Sequence, residues 1–153
     1  MEKVKKQLVV SAIENGTVID HIPNDNVSTV VRILDLYKLD NEIFLGANLN
    51  SKKYGKKGII KIKDKFFEDF EINKIALVAS TATIIEIKDY KVYRKFEVTV
   101  PETISGIIKC FNPKCVTNME ITSTKFKIVD KKDIKLMCHY CEKITKKETL
   151  EFF

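Results

Sequence analysis

The four cysteines are the residues whose type and spacing point most clearly to chemistry. All of them lie in the last third of the chain, where a C-x4-C pair and a C-x2-C pair are separated by 22 residues: Cys110, Cys115, Cys138 and Cys141. Two close pairs in a chain without a recognisable export signal are typical of a metal site and not of disulfides. Four thiolates complete a tetrahedral shell around Zn²⁺ and leave no position for a reactive water. The pattern therefore predicts one structural zinc ion.

Two other interpretations of the cysteines are weaker. Four buried free thiols are one alternative to a metal site. In another, His139, which lies inside the second pair, replaces one cysteine as a ligand. Because four cysteines already satisfy a tetrahedral ion, we expect His139 to be an exposed neighbour of the site.

The residues around the cysteines predict the turns and strands that would hold them. Asn112–Pro113 favours a turn inside the first pair, residues 120–129 alternate in polarity like a strand, and residues 134–137 lead into the second pair. Short strands carrying two cysteine knuckles predict a small all-β, zinc-ribbon-like domain over residues 101–153. A segment of about 50 residues with few large apolar side chains buries little core, so this domain should need its metal to fold.

Residues 1–100 contain no cysteine and predict a separate unit, with Pro101 at the boundary. Apolar residues at helical spacing from Val27 to Tyr37 predict a helix capped by Asn26 or Ser28. Strands are predicted at 7–13, turning through 14–16 into 17–22, then at 42–49, 58–63 and 82–93, with a polar loop at 52–58 and a second helix at 71–78. The order β-α-β-β-α-β predicts a ferredoxin-like domain, and the fold class of the whole chain is α+β.

Lysines are the main candidates for ligand binding in this N-terminal unit. Seven of them fall within residues 51–65. Strand alternation places four on one face: Lys57, Lys61, Lys63 and Lys65. They form either a solvated surface or a site for an anion such as a triphosphate.

Catalytic motifs do not emerge from the sequence. The five glycines form neither GxGxxG nor a Walker pattern, so no phosphate-cradling loop is predicted. Asp20 beside His21 is interpreted as a binding or structural pair, because no nucleophile accompanies it. We therefore do not predict an enzyme.

Composition narrows the class of protein further. The formal charge is +6, yet only two of the 27 basic residues are arginines, Arg32 and Arg94, which disfavours nucleic-acid recognition. No apolar run reaches the roughly 18–20 residues that span a membrane, and the first residues do not resemble a secretory signal. We expect a cytoplasmic protein that binds neither membranes nor nucleic acid. A zinc-ribbon nucleic-acid-binding or transcription-associated protein is the alternative.

Several segments, taken in order, resemble the regulatory chain of aspartate carbamoyltransferase. They are Gly16–Pro23, which reads GTVIDHIP, Gly58–Ile62, residues 82–95 and the cysteine set. The similarity covers essentially the whole chain, and GTVIDHIP is its most specific part. The resemblance implies a non-catalytic subunit with an N-terminal allosteric domain at 1–100. That domain would bind the pyrimidine nucleotides CTP and UTP as inhibitors and ATP as an activator, with Mg²⁺ as an accompanying ion.

The same resemblance implies the partners. The zinc domain at 101–153 would contact the catalytic chain, which forms trimers and makes carbamoyl-aspartate in pyrimidine biosynthesis. Regulatory chains would form homodimers through their N-terminal domains.

The resemblance also implies the effector-binding residues: Val10, Ile13, Val18, Asp20, His21, Lys57, Ile59, Lys61, Tyr90, Val92 and Lys95. Asp20 and Lys61 would hold the ribose hydroxyls. Lys95, with His21 and Lys57, would face the phosphates. The apolar residues and the backbone near Tyr90 and Val92 would surround the base. Two positions depart from the family pattern: Ser11 stands where a charged side chain is common, and Ile85 stands where an amide is common. They leave the order of effector preference open.

Overall fold

The computed structural model describes residues 12–153, so residues 7–11 of the predicted strand at 7–13, including Val10 and Ser11, lie outside the described residues, while Ala12 and Ile13 belong to no strand. No helix in the described part is long and apolar enough to cross a membrane. The N-terminal elements are β1 (Gly16–Pro23), α1 (Val27–Ile33), β2 (Ile43–Ser51), β3 (Gly55–Lys63), α2 (Asp69–Val78), β4 (Thr83–Lys88) and β5 (Lys91–Glu97), with short 3₁₀ turns at Asn24–Asn26 and Leu36–Lys38. The C-terminal elements are β6 (Thr103–Ser105), α3 (Val116–Met119), β7 (Lys125–Asp130), β8 (Lys135–Cys138) and β9 (Ile144–Lys146), followed by a 3₁₀ turn at Lys147–Thr149.

The strands form two antiparallel sheets. The first has the order β2-β3-β1-β4-β5 and the second the order β6-β7-β8-β9. Helices α1 and α2 come before the second sheet in the chain, and the C-terminal part that contains this sheet is mostly β-structure. The chain thus has the predicted α+β class, with an all-β C-terminal part.

Helices α1 and α2 cover one face of the first sheet. Ile19 of β1 lies opposite Ile60 of β3 and Ile84 of β4, and all three are buried in one core with residues of both helices, such as Val30 and Ile75. Successive side chains of a strand point to opposite faces. The residues directly before and after Ile19, Ile60 and Ile84 along their strands therefore point to the face of the sheet away from the helices.

The first helix is shorter than the sequence predicted. It ends at Ile33, and Asp35 adopts a left-handed conformation with φ of 51° before a 3₁₀ turn begins. Tyr37, the last apolar position of the predicted helix, is 83% exposed. The apolar residues keep their helical spacing beyond Asp35, where the backbone leaves the helix. The apolar pattern alone therefore predicted a helix that was too long. Helix α2 begins two residues before its predicted start and ends at the predicted Val78.

Two segments of the first sheet differ from the prediction. Strand β3 already begins at Gly55, so most of the predicted polar loop at 52–58 belongs to a hairpin with β2. Residues 82–93, predicted as one strand, instead form β4 and the start of β5, which turns back on β4 through Asp89 and Tyr90. Both turn residues have positive φ, 52° and 64°. Tight hairpins prefer this geometry, but Asn-Gly usually signals it, and that signal is absent here.

The C-terminal strand prediction was too long. Strand β7 starts only at Lys125, whereas residues 120–124 lie outside any strand and Ile121 is fully exposed. An unpredicted single-turn helix, α3, follows Cys115. The two units share apolar contacts, because Leu77 of α2 is buried in the second core and Phe152 packs against both cores.

Close approach of α1 to the sheet leads to a stability prediction. A Cβ at Gly58 would lie 2.0 Å from Val27 Cγ2, so Gly58→Ala should destabilise the N-terminal unit by about 1–3 kcal/mol. Adding Val27→Ala removes the clashing methyl, and the double variant should unfold at a higher urea concentration than Gly58→Ala alone. Urea unfolding of both single variants and the double variant measures this coupling. Strictly additive losses would show that the Gly58–Val27 contact does not limit packing.

Candidate functional site

The four cysteine sulfurs converge at one end of the second sheet. Cys138 is the last residue of β8, Cys141 follows in the next turn, and Cys115 immediately precedes α3. All four Sγ atoms lie within 4.8 Å of one another. The Sγ atoms of Cys110 and Cys141 are 3.6 Å apart, and those of Cys115 and Cys138 are 3.7 Å apart. The backbone thus presents four thiols to one point, as the sequence predicted.

These distances fit a tetrahedral metal ion. Zn–S bonds of about 2.3 Å place sulfurs about 3.8 Å apart in a regular tetrahedron. Three of the cysteines are buried and Cys141 is half-buried, while His139 is exposed, as predicted for a neighbour that is not a ligand. With four protein ligands, such a site has no open coordination position for catalysis. It supports a structural metal ion.

Hydrogen bonds brace the loop that carries the first cysteine pair. Thr117 Oγ1 donates to Cys115 Sγ at 3.2 Å. The Asn118 amide donates to the carbonyl oxygens of Cys110 and Asn112, at 2.8 and 2.7 Å. Partners of this kind orient ligands before the metal arrives. Neither side chain carried a sequence signal that marked it as part of the site.

The thiols differ in their affinity for protons. Burial raises the pKa of Cys110 to about 12 and also raises the pKa of Cys138. Burial acts in the same direction on Cys141, but the Lys143 backbone N–H and the Asn112 side chain stabilise the thiolate, and its pKa falls to about 7. Metal binding at neutral pH must therefore displace protons, so metal affinity should weaken as the solution becomes more acidic.

Most of the described effector residues lie on the sheet face away from the helices. Val18 of β1 pairs with Lys61 of β3 on one side and with Ile85 of β4 on the other, and Ile85 pairs in turn with Lys95 of β5. Residues opposite one another in a sheet share a face. The register therefore forms a single row in which two apolar side chains lie between two lysines, and Phe44 of β2 continues the row beyond Lys61.

Asp20 is a carboxylate on this face, two residues after Val18 on β1. Its Oδ1 accepts hydrogen bonds from Lys57 Nζ at 2.8 Å and from the His21 backbone N–H at 2.6 Å. Lys61 is only 8% exposed; burial lowers its pKa, and the nearby Asp20 carboxylate acts to raise it. A carboxylate can accept hydrogen bonds from hydroxyl groups, and ammonium groups neutralise anions. The pair thus offers complementary chemistry to a hydroxylated anion.

The remaining predicted residues take different positions. Ile13 is buried and Ile59 is half-buried on β3, two residues before Lys61. Tyr90 and Val92 lie exposed at the β4–β5 hairpin. The Tyr90 backbone N–H donates to the Glu14 carbonyl at 2.9 Å, so this donor is already used within the chain.

His21 occupies an irregular part of β1, where the register with β3 shifts between Ile19 and Ile22. Its φ is 56°, and its Nδ1 lies 3.7 Å from Asp20 Oδ2. The ring also meets Tyr54, with centroids 6.1 Å apart at an interplanar angle of 71°. Tyr54 was missed in the sequence because it is a lone aromatic residue in a lysine-rich turn.

Comparison with known families assigns each part of the chain. Residues 8–99 match the family model described as the allosteric domain of the aspartate carbamoyltransferase regulatory chain. Residues 102–151 match the model described as the metal binding domain of the same chain. The second match contains all four cysteines, and the first contains the row of paired residues on the sheet.

Individual relatives agree over nearly the full length. The chain is similar to aspartate carbamoyltransferase regulatory chains of Bacteroides fragilis, at 50% identity over 98% of both chains, and of Pyrococcus horikoshii, at 51% identity over 94% of this chain and 96% of the relative. That of Thermococcus sibiricus is 51% identical over 90% of this chain and 91% of the relative. Two family models in the expected order and half-identical relatives of the same length show that the chain belongs to the family of aspartate carbamoyltransferase regulatory chains, the non-catalytic subunits of that enzyme.

Proposed function

We propose that this regulatory chain binds CTP, UTP and ATP on the sheet face that carries Val18, Asp20 and Lys61, and passes their effect to the catalytic chain in pyrimidine biosynthesis. The observation that carries the proposal is the paired row from Lys61 through Val18 and Ile85 to Lys95, with the Asp20–Lys57 pair beside it. Apolar side chains flanked by one carboxylate and several lysines suit a nucleotide, which combines a flat base, sugar hydroxyls and a polyanion.

Each part of the nucleotide has a partner of fitting chemistry. Val18 and Ile85 offer an apolar surface for the base, with Ile13 nearby in sequence. Asp20 and Lys61 suit the ribose hydroxyls, because a carboxylate accepts hydrogen bonds from them and an ammonium donates hydrogen bonds to them. Lys57, His21 and Lys95 suit the phosphates, and Mg²⁺ would accompany the triphosphate.

Ile85 shapes the proposed base preference. It stands in the middle of the row, where the resemblance led us to expect an amide. An apolar side chain distinguishes cytosine from adenine poorly, since it presents neither donors nor acceptors. Discrimination would then depend on backbone groups near Tyr90 and Val92 other than the Tyr90 N–H, which already donates to the Glu14 carbonyl.

Calorimetric titration of the metal-loaded chain with nucleotides tests this proposal. Lys95→Ala should weaken CTP binding about tenfold, because it removes one charge-assisted contact to phosphate, while cytidine binding should be unchanged. Lys91→Ala, on the same strand, is the matched control and should bind CTP normally. If the wild type binds no nucleotide but binds duplex DNA with strong salt dependence, the alternative of a nucleic-acid-binding zinc ribbon is correct.

The C-terminal part is proposed to hold Zn²⁺ and to contact the catalytic chain. Exposed apolar side chains surround the cysteine knuckles, among them Phe111, Met119 and Ile121. A groove of about 550 Å³ beside Cys138 adds polar and charged side chains, including Lys125 and Glu142. Protein interfaces combine an apolar centre with a polar rim, and this surface has both.

The N-terminal part is proposed to have the ferredoxin-like arrangement and to form the homodimer. The sheet order β2-β3-β1-β4 supports the former, with β5 as an added edge strand. Strand β2 lies at the other edge and exposes Leu45 and Leu49, and an exposed edge strand readily pairs with a second chain. Such dimers would link catalytic trimers. The domain boundary would fall at Pro101, and thiolate ligands suit a reducing, cytoplasmic location.

A further inference from the structure

The geometry points to Tyr54 as a positioning residue that holds the His21 ring in place for the phosphate end of the bound nucleotide. This inference rests on the proposed nucleotide-binding function and adds a residue that neither the cysteine and lysine patterns nor the family resemblance indicated. Tyr54 would act through His21 and not by direct contact with the base or the sugar.

The backbone of His21 is held in an unusual conformation. Its φ of 56° lies in the left-handed region, which residues other than glycine rarely adopt and which costs free energy. Two hydrogen bonds maintain it: the His21 N–H donates to Asp20 Oδ1 at 2.6 Å, and Thr81 Oγ1 donates to the His21 carbonyl at 2.8 Å. This conformation directs the imidazole to the side of the strand on which Asp20 and Tyr54 lie.

The imidazole itself has few fixed polar contacts. Nδ1 is buried and has no hydrogen-bond partner within residues 12–153, and its distance of 3.7 Å from Asp20 Oδ2 is too long for a hydrogen bond. The side chain as a whole is 33% exposed, so the exposed part of the ring lies away from Nδ1. Packing, more than hydrogen bonding, must therefore fix the ring orientation.

Tyr54 supplies that packing. Its ring meets the imidazole edge-on, at 6.1 Å between centroids and 71° between planes. The Tyr54 backbone is itself fixed, because its N–H donates to Ser51 Oγ at 3.2 Å and its carbonyl accepts from the Lys56 N–H at 3.0 Å. Lys53 Nζ lies 5.3 Å from the centre of the Tyr54 ring, so an ammonium group of the same turn also contacts this ring. The β2–β3 turn thus braces His21 beside the Asp20–Lys57 pair.

The experiment compares nucleotides that differ only in their phosphates. With the full, metal-loaded chain, Tyr54→Ala should weaken CTP binding by about 3- to 10-fold, the range expected for one aromatic pair, and should change CMP and cytidine binding less than twofold. Tyr54→Phe keeps the ring and should bind like the wild type. Tyr37→Ala removes an exposed tyrosine away from the site and is the control for general effects.

A double-variant cycle separates positioning from stability. If Tyr54 acts through His21, adding Tyr54→Ala to His21→Ala should cause no further loss of CTP affinity. Should Tyr54→Ala lower the melting temperature, Tyr54→Leu, which keeps apolar bulk without the ring, carries the same expectation. Unchanged CTP affinity, equal losses for CTP and cytidine, or additive losses in the double variant would each overturn the inference. A wild-type chain that binds no nucleotide would instead contradict the proposed function, and the inference with it.

Discussion

Removing the metal from the full chain is expected to unfold residues 102–151 and to abolish binding to the catalytic chain. Among the described residues, the second core buries only eight large apolar side chains, one of them Leu77 of α2, and its three other buried members are cysteines that a metal would cross-link. Structural zinc contributes about 10–16 kcal/mol to the folding of comparably small domains, far more than this core could replace. Without the ion, the buried thiols of Cys110 and Cys138, whose pKa values are raised, remain protonated, and no metal links the two knuckles.

Chelation followed by circular dichroism and by sedimentation with the catalytic chain measures the effect. Cys138→Ser should reproduce it, whereas His139→Ala, an exposed substitution next to a ligand, should retain metal and assembly. Nucleotide binding by the N-terminal unit should survive, with a modest loss of stability as Leu77 becomes exposed. If the metal-free chain joined the catalytic chain with native affinity, the cysteine centre would not be structural.

Replacing Asp20 by asparagine is expected to cause the largest loss of nucleotide affinity of any single substitution on the sheet face. The carboxylate accepts from Lys57 at 2.8 Å and is proposed to accept from the ribose, and a hydrogen bond to a charged group contributes about 1.5–3 kcal/mol. CTP binding should therefore weaken about 10- to 100-fold. Asp25→Asn, an exposed carboxylate near the same strand, is the control and should bind CTP normally.

The same variant should change how stability depends on pH. Burial lowers the pKa of Lys61 below its ordinary value, so near and above the lowered pKa the unfolded chain holds more protons than the folded chain. Stability attributable to Lys61 therefore rises with pH up to its unfolded pKa of about 10.4. The Asp20 carboxylate acts to raise the pKa of Lys61, so Asp20→Asn should lower this pKa further. The variant should therefore lose more stability at neutral pH than at high pH. Urea unfolding at pH 7 and pH 9 measures this, and equal midpoint differences between variant and wild type at both pH values would contradict it.

The metal centre could be predicted from the sequence because its information is local. Cysteine is the ligand, the short spacings within each pair fix two turns, and four such residues suffice for one ion. The supporting contacts of Thr117 and Asn118 could not be predicted in the same way, because they depend on α3, a single turn of four residues that the sequence pattern did not predict.

The sheet face was predicted in outline only. Alternation correctly placed Lys57 and Lys61 together, but it also included Lys65, which lies beyond the end of β3 and pairs with Glu71 of α2. The deep burial of Lys61 depends on β1 and β2 flanking β3, which is a long-range pairing. His21 in β1 and the turn residues Asp89 and Tyr90 have positive φ, but none of them is a glycine, the residue that would have indicated this conformation. Tyr54 becomes informative only when the β2–β3 turn is seen beside His21.

The regulatory role is tested most directly by the velocity of the enzyme reassembled from this metal-loaded chain and its catalytic chain, measured at subsaturating aspartate while CTP is titrated. We predict that velocity changes with CTP in the wild-type assembly, and that the Asp20→Asn assembly, which retains its metal, needs about 10- to 100-fold more CTP for the same change. A velocity that ignores CTP in an assembly shown by calorimetry to bind it would contradict the coupling. A response identical in both assemblies would contradict the site.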